Sequence, residues 1–251
     1  MAQNVHPQGC LENRVWGLAT ADCYTTLAPT TLDLWRIPLE QQPQIDTLSE
    51  DEISRFRRYR FAADQRKFAV ARSSLRQILA HYSQRTPASL TFDYGSHGKP
   101  FLRHNSSLQF NVSHSGEYAL CAVARQVVGV DIEQLRSMDH LEGLIKRCLA
   151  VSEQQALTKI LPNNQSTAFL KYWTCKEAYL KATGQGISEA LAAIEVDLTP
   201  PARLKLPGKP WQLQVFVPCD GYTAAVVMPP AITQIRLWAH PPLTTGPAPN
   251  G

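Results

Sequence analysis

The chain has 251 residues, of which 44% are hydrophobic and 8% aromatic, a composition typical of one large globular domain or two small ones. Its formal net charge of +4 is too small to indicate nucleic-acid binding by itself, and no apolar run approaches the roughly 18 residues that cross a membrane. Residues 1–12 lack the basic-then-apolar pattern of a secretion signal and none of the six cysteines forms a CxxC motif, so we expect a cytoplasmic protein with reduced thiols.

The N-terminal part of the chain alternates between strand and helix patterns. Residues 32–37 predict a strand, and Ser49 and Glu52 have the spacing of a capping box that begins a short helix. A longer helix is predicted over 64–83, because its apolar residues recur with the helical period: Phe68, Ala71, Leu75, Ile78, Leu79 and Tyr82. Three strands are predicted to follow, at 90–92, 108–112 and 118–124.

Arginine and lysine are concentrated on these two helices. A solvated helix surface is the simplest explanation for most of them. The alternative is an anion site for a polyphosphate ligand, since guanidinium groups match the geometry of phosphate oxygens. Arg72 adjoins the apolar stripe of the longer helix and is therefore the strongest candidate of the cluster.

Two carboxylates end the next predicted strand, residues 127–133. Alternate residues of a strand point to the same face, so Asp131 and Glu133 project together with Gly129 behind them. We expect the missing side chain of Gly129 to keep this face clear. Paired carboxylates on a rigid face suit a hard cation such as Mg²⁺, which commonly takes one or two carboxylates together with substrate phosphates.

The C-terminal part carries two helical stretches and four further strands. The first stretch covers 138–160, and residues 162–165 are predicted to interrupt it. The second begins at Ser166 or Thr167, ends near Ala182 and is stopped by Gly184. The residues from 241 onward are rich in Pro, Gly and Thr and predict a disordered tail. The strands are predicted at 193–198, 211–217, 222–228 and 232–238.

The second of these helices has charged residues on an apolar face. Trp173, Glu177 and Lys181 are four residues apart and form one stripe. A surface ion pair would explain Glu177 and Lys181, but such a pair predicts a polar stripe, and leucines flank this one. The pattern favours a functional pair, with Glu177 as a third carboxylate for the metal and Lys181 as a positive charge for a phosphate.

The two parts of the chain repeat one another. Residues 116–123 resemble residues 221–227, and each segment follows a long helix and falls late in a cluster of strands. This order predicts two similar α+β halves. We place the N-terminal half at 1–128, the half that carries the metal site at 129–240, and the tail at 241–251.

Two further segments carry weaker signals. Lys99 lies between a glycine and a proline that hold it rigidly, although a solvated turn lysine explains this segment better when it is taken alone. His114 is flanked by Ser113 and Ser115 and followed by Gly116, a turn-like arrangement in which hydroxyl and N–H groups can gather around an anion. A lone histidine is nevertheless more often structural.

In their order and separations, the motifs of this chain resemble those of the 4′-phosphopantetheinyl transferase superfamily. The two-half length is similar to the surfactin-synthetase-activator (Sfp-like) type rather than to the half-length holo-acyl-carrier-protein synthases. The resemblance covers about Leu48 to Val227. The motifs that carry it are Gly98-Lys99-Pro100, Asn111-x-Ser113-His114-Ser115, Gly129-Val130-Asp131-Ile132-Glu133 and Trp173-x-x-Lys176-Glu177-Ala178-x-x-Lys181.

The resemblance implies two pseudo-symmetric α+β halves, each a long helix packed on a small, mostly antiparallel sheet, with coenzyme A and Mg²⁺ between them. It implies an enzyme that transfers the 4′-phosphopantetheine arm of coenzyme A to a serine of apo acyl or peptidyl carrier proteins and releases adenosine 3′,5′-bisphosphate. Such carriers serve fatty-acid, polyketide or nonribosomal-peptide synthesis. The choice between Mg²⁺ and Mn²⁺ stays open, and we expect a monomer because one chain supplies both halves.

The resemblance also implies a role for each site residue. Mg²⁺ would be bound by three carboxylates, those of Asp131, Glu133 and Glu177. Arg72 would contact the 3′-phosphate of coenzyme A, and His114 and Lys181 the pyrophosphate. Glu153 occupies the position of a proposed general base. The predicted catalytic residues are Glu153, Lys181 and His114, and the predicted coenzyme A contacts are Arg72, Lys99, Ser113, His114 and Lys181.

Two other functions would use the same residues. A Mg²⁺-dependent phosphohydrolase would direct water at a coenzyme A-like pyrophosphate and would need no carrier protein. A non-catalytic module that binds coenzyme A or a carrier would most simply have lost a carboxylate or Lys181, and all of these are present. A nucleic-acid module would need basic and aromatic residues interleaved over a longer stretch than 55–61.

Overall fold

The computed structural model describes residues 3–5, 15–18, 27–186, 189–208 and 210–242, apart from the side chains of 3–5, 189 and 190. In the N-terminal half these residues form β1 Gln3–Val5, β2 Gly17–Leu18, β3 Thr31–Pro38, α1 Glu50–Arg57, α2 Ala62–Ser83, β4 Phe92–Tyr94, β5 Pro100–Leu102, β6 Gln109–Ser115 and β7 Tyr118–Ala124. They continue with β8 Gly129–Gln134, α3 Leu141–Cys148, α4 Val151–Thr158, α5 Pro162–Thr183, β9 Glu195–Asp197, β10 Arg203–Lys205, β11 Gln212–Phe216, β12 Tyr222–Met228 and β13 Gln234–Ala239. The predicted tail lies outside the described residues from 243 onward.

Two predicted helix boundaries are wrong. Helix α5 begins at Pro162, because a proline fits the first helical position, where its missing N–H has no intrahelical partner. The stretch predicted as one helix over 138–160 is two helices, α3 and α4, separated by Leu149 and Ala150 in extended conformation. Gly184 ends α5 in the left-handed conformation, as predicted. No helix in the described ranges combines the length and hydropathy needed to span a bilayer.

Two β-sheets pack face to face, and each is covered on its outer face by one long helix. The larger sheet has the order β1-β13-β3-β7-β6, with β2 beside β13, and the smaller has the order β11-β12-β8. Apolar side chains of α2 pack against the outer face of the larger sheet and form one hydrophobic core. Those of α5 pack against the outer face of the smaller sheet and form a second. A third core lies between the sheets and includes Leu34, Leu120, Val130 and Val226. The α+β class is confirmed.

The internal repeat appears as a repeat of elements. Helices α2 and α5 each have 22 residues, and each is followed later in the chain by an antiparallel pair, β6–β7 or β11–β12. The next strand then crosses to the other sheet: β8 pairs with β12, and β13 pairs with β3. The boundary at residue 129 stays a prediction, but residues 234–239, which it assigns to the C-terminal half, belong to the sheet of the N-terminal half.

Candidate active site

Strand β8 presents its carboxylates to α5, as its sequence predicts. Val130 and Ile132 enter the core between the two sheets, so Asp131 and Glu133 point the other way. Asp131 is buried, with 3% of its surface exposed, and Glu133 is half-buried. A buried carboxylate at the end of an apolar strand is costly unless it has partners, and these partners define the site.

Gly129 does not keep the face clear for a ligand, which corrects the sequence-based expectation. Helix α5 fills the space. A Cβ atom built on Gly129 would overlap the carbonyl oxygen of Ala178 and the backbone nitrogen of Ala182, and would lie 2.8 Å from the Ala182 Cα. Glycine is therefore required here because it lets α5 approach β8 closely, which brings the polar residues of the two elements together.

Three polar side chains of β6 form hydrogen bonds with β8. The Oδ1 atom of Asn111 accepts a hydrogen bond from the Val130 N–H at 2.8 Å. The Ser113 hydroxyl donates to Asp131 at 2.7 Å. The Ser115 hydroxyl donates to Glu133 at 2.9 Å, and its oxygen accepts from the backbone N–H of residue 134. Residues 111, 113 and 115 therefore belong to a strand and not to a turn, and their alternate spacing matches that of the carboxylates.

The Lys181 ammonium group completes the partners of Asp131. Its Nζ atom lies 2.5 Å from Asp131 Oδ1 and 2.8 Å from Ser113 Oγ. The side chain of Lys181 is 28% exposed, so part of it faces the solvent. Burial raises the pKa of Asp131, and the charge and hydrogen bond of Lys181 oppose that rise. The stripe predicted on α5 therefore does meet the strand that carries the first two carboxylates.

Glu177 completes a set of three mutually repelling carboxylates. Burial and then the negative charges of Asp131 and Glu133 raise its pKa to about 7, although Lys181 opposes them. Burial and the charge of Asp131 also raise the pKa of Glu133. Two buried oxygen atoms, Asp131 Oδ2 and Glu177 Oε1, have no hydrogen-bond partner among the residues that the structure describes. A positive charge placed among these carboxylates would offset their burial and their mutual repulsion, and would give the two oxygen atoms a partner.

This donor set fits a divalent cation by its chemistry. All three groups are carboxylates, the ligand type that Mg²⁺ takes, and two of their oxygen atoms are free to accept a ligand. Their spacing is not that of a formed metal site, because no group of three His, Cys, Asp or Glu side chains in the described part of the chain is close enough to hold an ion. The metal assignment therefore remains a proposal.

A cleft of about 390 Å³ opens beside these residues, between the two halves. Its wall includes Lys99, Glu177 and Lys181, together with the β4–β5 loop and the end of α5. The Lys99 Nζ atom donates to the carbonyl oxygens of Ala182 at 3.1 Å and Val128 at 3.2 Å. A larger groove of about 1090 Å³ runs along α5 near Pro200, but it contains none of the predicted site residues. The smaller cleft is therefore the candidate site.

Sequence comparison decides the family. A profile described as "4'-phosphopantetheinyl transferase superfamily" matches residues 127–227, and one described as "4'-phosphopantetheinyl transferase, N-terminal" matches residues 35–126. The 4′-phosphopantetheinyl transferase HetI of a Nostoc species is 43% identical to this chain over 226 residues, which cover 86% of this chain and 94% of HetI. The chain belongs to the 4′-phosphopantetheinyl transferase superfamily.

Other relatives agree on the type of transferase. The 4′-phosphopantetheinyl transferase psf-1 of Bacillus pumilus is 31% identical, over 67% of this chain and 73% of the relative. The 4′-phosphopantetheinyl transferase Sfp of Bacillus subtilis is 26% identical, over 75% of this chain and 87% of Sfp. A holo-[acyl-carrier-protein] synthase structure from Thermotoga maritima superposes with a TM-score of only 0.30, which is too low to carry an argument. The transferase is thus of the Sfp-like type.

His114 of this transferase lies on the opposite face of β6 from Ser113, within a cluster of positive charges. Desolvation and then the charges of Lys181, Arg55 and Lys67 lower its pKa. His114 as a whole is an exposed residue. Sequence reasoning counted Arg55 and Lys67 only as part of a basic stretch. A ligand position for them could not be inferred, because β6 adjoins their helices only in the folded chain.

Arg72 is engaged within the N-terminal half. Its guanidinium group binds Glu52 Oε1 at 2.6 Å, donates to the Tyr94 hydroxyl at 3.2 Å and lies 5.2 Å from the ring centre of Phe92. Arg76 binds the other oxygen of Glu52 at 2.6 Å. These contacts connect α1 and α2 to the β4–β5 hairpin. The 3′-phosphate contact of Arg72 stays a prediction, and the geometry favours a role in holding the hairpin.

Glu153 is enclosed by protein, which does not favour the role of a general base. It is 1% exposed, and one carboxylate oxygen binds Lys176 Nζ at 2.6 Å and the Ala150 N–H at 2.7 Å. The other oxygen accepts the Val196 N–H at 2.7 Å. Lys176 is fully buried and also donates to two backbone carbonyl groups. Both oxygens thus accept hydrogen bonds from groups of the described chain, which disfavours contact with a substrate hydroxyl.

Proposed function

We propose that this protein transfers the 4′-phosphopantetheine arm of coenzyme A to a serine of an apo carrier protein. The observation that carries the proposal is the contact between the two halves at the cleft, where Lys181, Ser113 and Asp131 form a hydrogen-bonded group beside Glu177 and Glu133. An ammonium group next to a surplus of carboxylates is an arrangement suited to a pyrophosphate and a divalent cation. The family membership of the chain supports the same reaction.

In the proposed reaction, the hydroxyl oxygen of the carrier serine forms a bond to the β-phosphorus of coenzyme A, and the hydroxyl proton passes to a water molecule of the solvent. The bond between that phosphorus and the bridging oxygen of the pyrophosphate breaks, and adenosine 3′,5′-bisphosphate leaves with the additional negative charge. Lys181 donates to the phosphate oxygens on which this charge develops, since its ammonium is held at the cleft by Asp131 and Ser113. The transferred group never becomes attached to the enzyme.

Asp131, Glu133 and Glu177 are the residues that would hold the metal ion. Mg²⁺ bound there would neutralise negative charge on the pyrophosphate oxygens, would offset the cost of burying the three carboxylates, and would relieve the repulsion that contributes to the raised pKa values of Glu133 and Glu177. Ser113 and Ser115 orient two of these carboxylates by donating hydrogen bonds to them. Mn²⁺ has similar ligand preferences, and the proposal extends to it.

The positive cluster around His114 is the proposed site for a further phosphate group of coenzyme A. His114 is exposed, and Arg55 and Lys67 lie close enough to lower its pKa. Arg55 is exposed, and Lys67 is half-buried and pairs with the partly exposed Glu117 at 2.6 Å, so neither would have to break a buried ion pair to turn toward a phosphate. Arg72 would have to leave Glu52 to bind a phosphate, so we favour Arg55 and Lys67 for this contact.

The cleft also supports the proposal of a monomer. Lys99 and Asn111 come from the N-terminal half, and Glu177 and Lys181 come from the C-terminal half of the same chain. One chain therefore supplies both walls of the site. Carrier proteins are typically acidic, and the net charge of +4 would favour their encounter with this protein.

Mass spectrometry of an apo carrier protein tests the proposed function. The carrier is incubated with this protein, coenzyme A and Mg²⁺, and we expect its mass to increase by one phosphopantetheine arm. Asp131→Asn is the matched variant, because it keeps the size of the side chain and its bond to Ser113 but removes the charge; we expect at least about 100-fold slower transfer with the fold retained. Hydrolysis of coenzyme A with no gain in carrier mass would instead indicate the phosphohydrolase.

A further inference from the structure

The β4–β5 hairpin is anchored in the N-terminal half by charged and aromatic contacts. The ring of Phe92 on β4 has the guanidinium carbons of Arg72 and Arg76 at 5.2 and 5.1 Å from its centre. Arg76 is 1% exposed, and it also donates to the carbonyl oxygens of Pro87 and Leu90 just before the hairpin, both at 2.9 Å. These contacts fix the base of the hairpin relative to α2.

Lys99 extends from the other end of this hairpin to the C-terminal half. Its ammonium donates to the carbonyl oxygen of Ala182 in the last turn of α5 and to that of Val128, the residue before β8. The last four carbonyl groups of a helix lack intrahelical donors, and positive charge is favourable at that end. The stem of Lys99 also lies against Gly184, the residue that ends α5. The Lys99 side chain therefore supplies hydrogen-bond donors to a carbonyl group in the last turn of α5 and to the carbonyl group that precedes β8.

The two carbonyl groups that Lys99 binds lie next to residues of the candidate site. Ala182 directly follows Lys181, and Val128 begins the chain segment that leads to Asp131. Burial lowers the pKa of Lys99 to about 8, and two carbonyl dipoles rather than a carboxylate face its charge. Lys99 is half-buried, and an ammonium that donates to two backbone oxygens has only one N–H group left for a substrate phosphate.

We propose that Lys99 is a positioning residue, whose ammonium holds the end of α5 and the start of β8 against the β4–β5 hairpin and thereby fixes Lys181 beside Asp131. This differs from the direct contact with coenzyme A that the sequence motif implies for Lys99. The expectation that Lys99 affects catalysis, by fixing Lys181, rests on the proposed transferase function. The structural part, that Lys99 stabilises the last turn of α5, does not.

Hydrogen–deuterium exchange of the ligand-free protein tests the structural part. Three variants are compared with the native chain: Lys99→Met removes the charge and keeps the stem, Lys99→Gln keeps a donor without a charge, and Lys99→Arg keeps the charge. We expect amides in the peptide covering 178–186 to exchange about tenfold faster in Lys99→Met, to exchange at intermediate rates in Lys99→Gln and to be close to native in Lys99→Arg. Lys146→Met, at an exposed lysine on α3, is the control and leaves this peptide unchanged.

Steady-state kinetics separate positioning from substrate binding. A displaced Lys181 lowers kcat, so we expect kcat of Lys99→Met to fall about tenfold with KM for coenzyme A within about twofold of native. Unchanged exchange, or a raised KM with unchanged kcat and exchange, overturns the proposal and indicates direct contact with the substrate. If Lys99→Met fails to fold by circular dichroism, Lys99→Gln decides by the same two measurements. A native protein without transfer activity refutes the proposed function, while the exchange result still decides the role of Lys99.

Discussion

Replacement of Gly129 by alanine measures how closely α5 must approach β8. The added methyl carbon would lie 2.8 Å from the Cα of Ala182, about 0.6 Å inside the 3.4 Å at which ordinary van der Waals contact begins, and still closer to two polar backbone atoms. These atoms belong to a helix and cannot rotate away, so α5 must shift as a unit. We therefore expect a loss at the upper end of the range for overpacking, about 3 kcal/mol.

Thermal unfolding followed by circular dichroism is the direct measurement. For a chain of 251 residues, about 3 kcal/mol corresponds to a fall in Tm of roughly 6–12 °C. Transfer activity should fall further than the folded fraction, by roughly 10- to 100-fold, because α5 carries Glu177 and Lys181, and a shift of about 1 Å at a catalytic group costs about that much.

Gly143 provides the matched control. It lies in the exposed part of α3, and a Cβ atom built on it would meet nothing within 4 Å. Alanine is the better helix former, so Gly143→Ala should stabilise the protein by about 0.5–1 kcal/mol and leave transfer unchanged. A Gly129→Ala protein that melts within a degree of the native one would refute the reasoning, since α5 would then have room for a side chain over β8.

Three further predictions follow from buried or engaged charges. Glu153→Gln should destabilise the fold by about 3 kcal/mol, because it leaves Lys176 buried without a counter-charge. At a temperature well below the Tm of the variant, its kcat should stay within about tenfold of the native value. A fall in kcat of about 100-fold or more would instead indicate that Glu153 is the general base. Arg55→Gln should raise KM for coenzyme A with little change in Tm, whereas Arg72→Gln should mainly lower Tm; the reverse result would place the phosphate at Arg72. Burial lowers the pKa of His240 from 6.5 to about 4, so the unfolded chain takes up this proton first and stability falls as pH drops from about 6.5 to 4, by roughly 3 kcal/mol. His240→Phe should flatten that part of the denaturation profile, and an unchanged profile would exclude His240 as its source.

The alternation of β8 and the stripe on α5 could be predicted from the sequence because both depend on local periodicity. Residues two apart on a strand share a face, and residues four apart on a helix share a stripe, whatever the rest of the chain does. The placement of Asp131 with Glu133, and of Glu177 with Lys181, followed from these rules. Their proximity across the two elements did not, although the family resemblance implied it.

Three residues of the motifs have contacts that the sequence did not predict, and in each case the partner is distant in the chain. Gly129 was interpreted as space for a ligand, because its sequence neighbours do not show that α5 lies over it. The roles of Arg72 at a phosphate and of Glu153 in proton transfer stay predictions from the family resemblance, and the sequence did not predict that Arg72 pairs with Glu52 or that Glu153 pairs with Lys176. Charged residues in a motif can thus be structural when a buried counter-charge lies elsewhere in the sequence.

The amino-acid sequence by itself determined the local periodicities, the repeat of two α+β halves and the family to which the chain belongs. The tertiary structure decided which half each strand joins, since β8 and β13 cross to the opposite sheets and pairing depends on contacts distant in sequence. The tertiary structure also decided which partner each charged side chain has. Whether Lys99, Lys176 and Lys181 serve a helix end, a buried carboxylate or a substrate depends on which oxygen atoms the folded chain places within hydrogen-bonding distance of each ammonium.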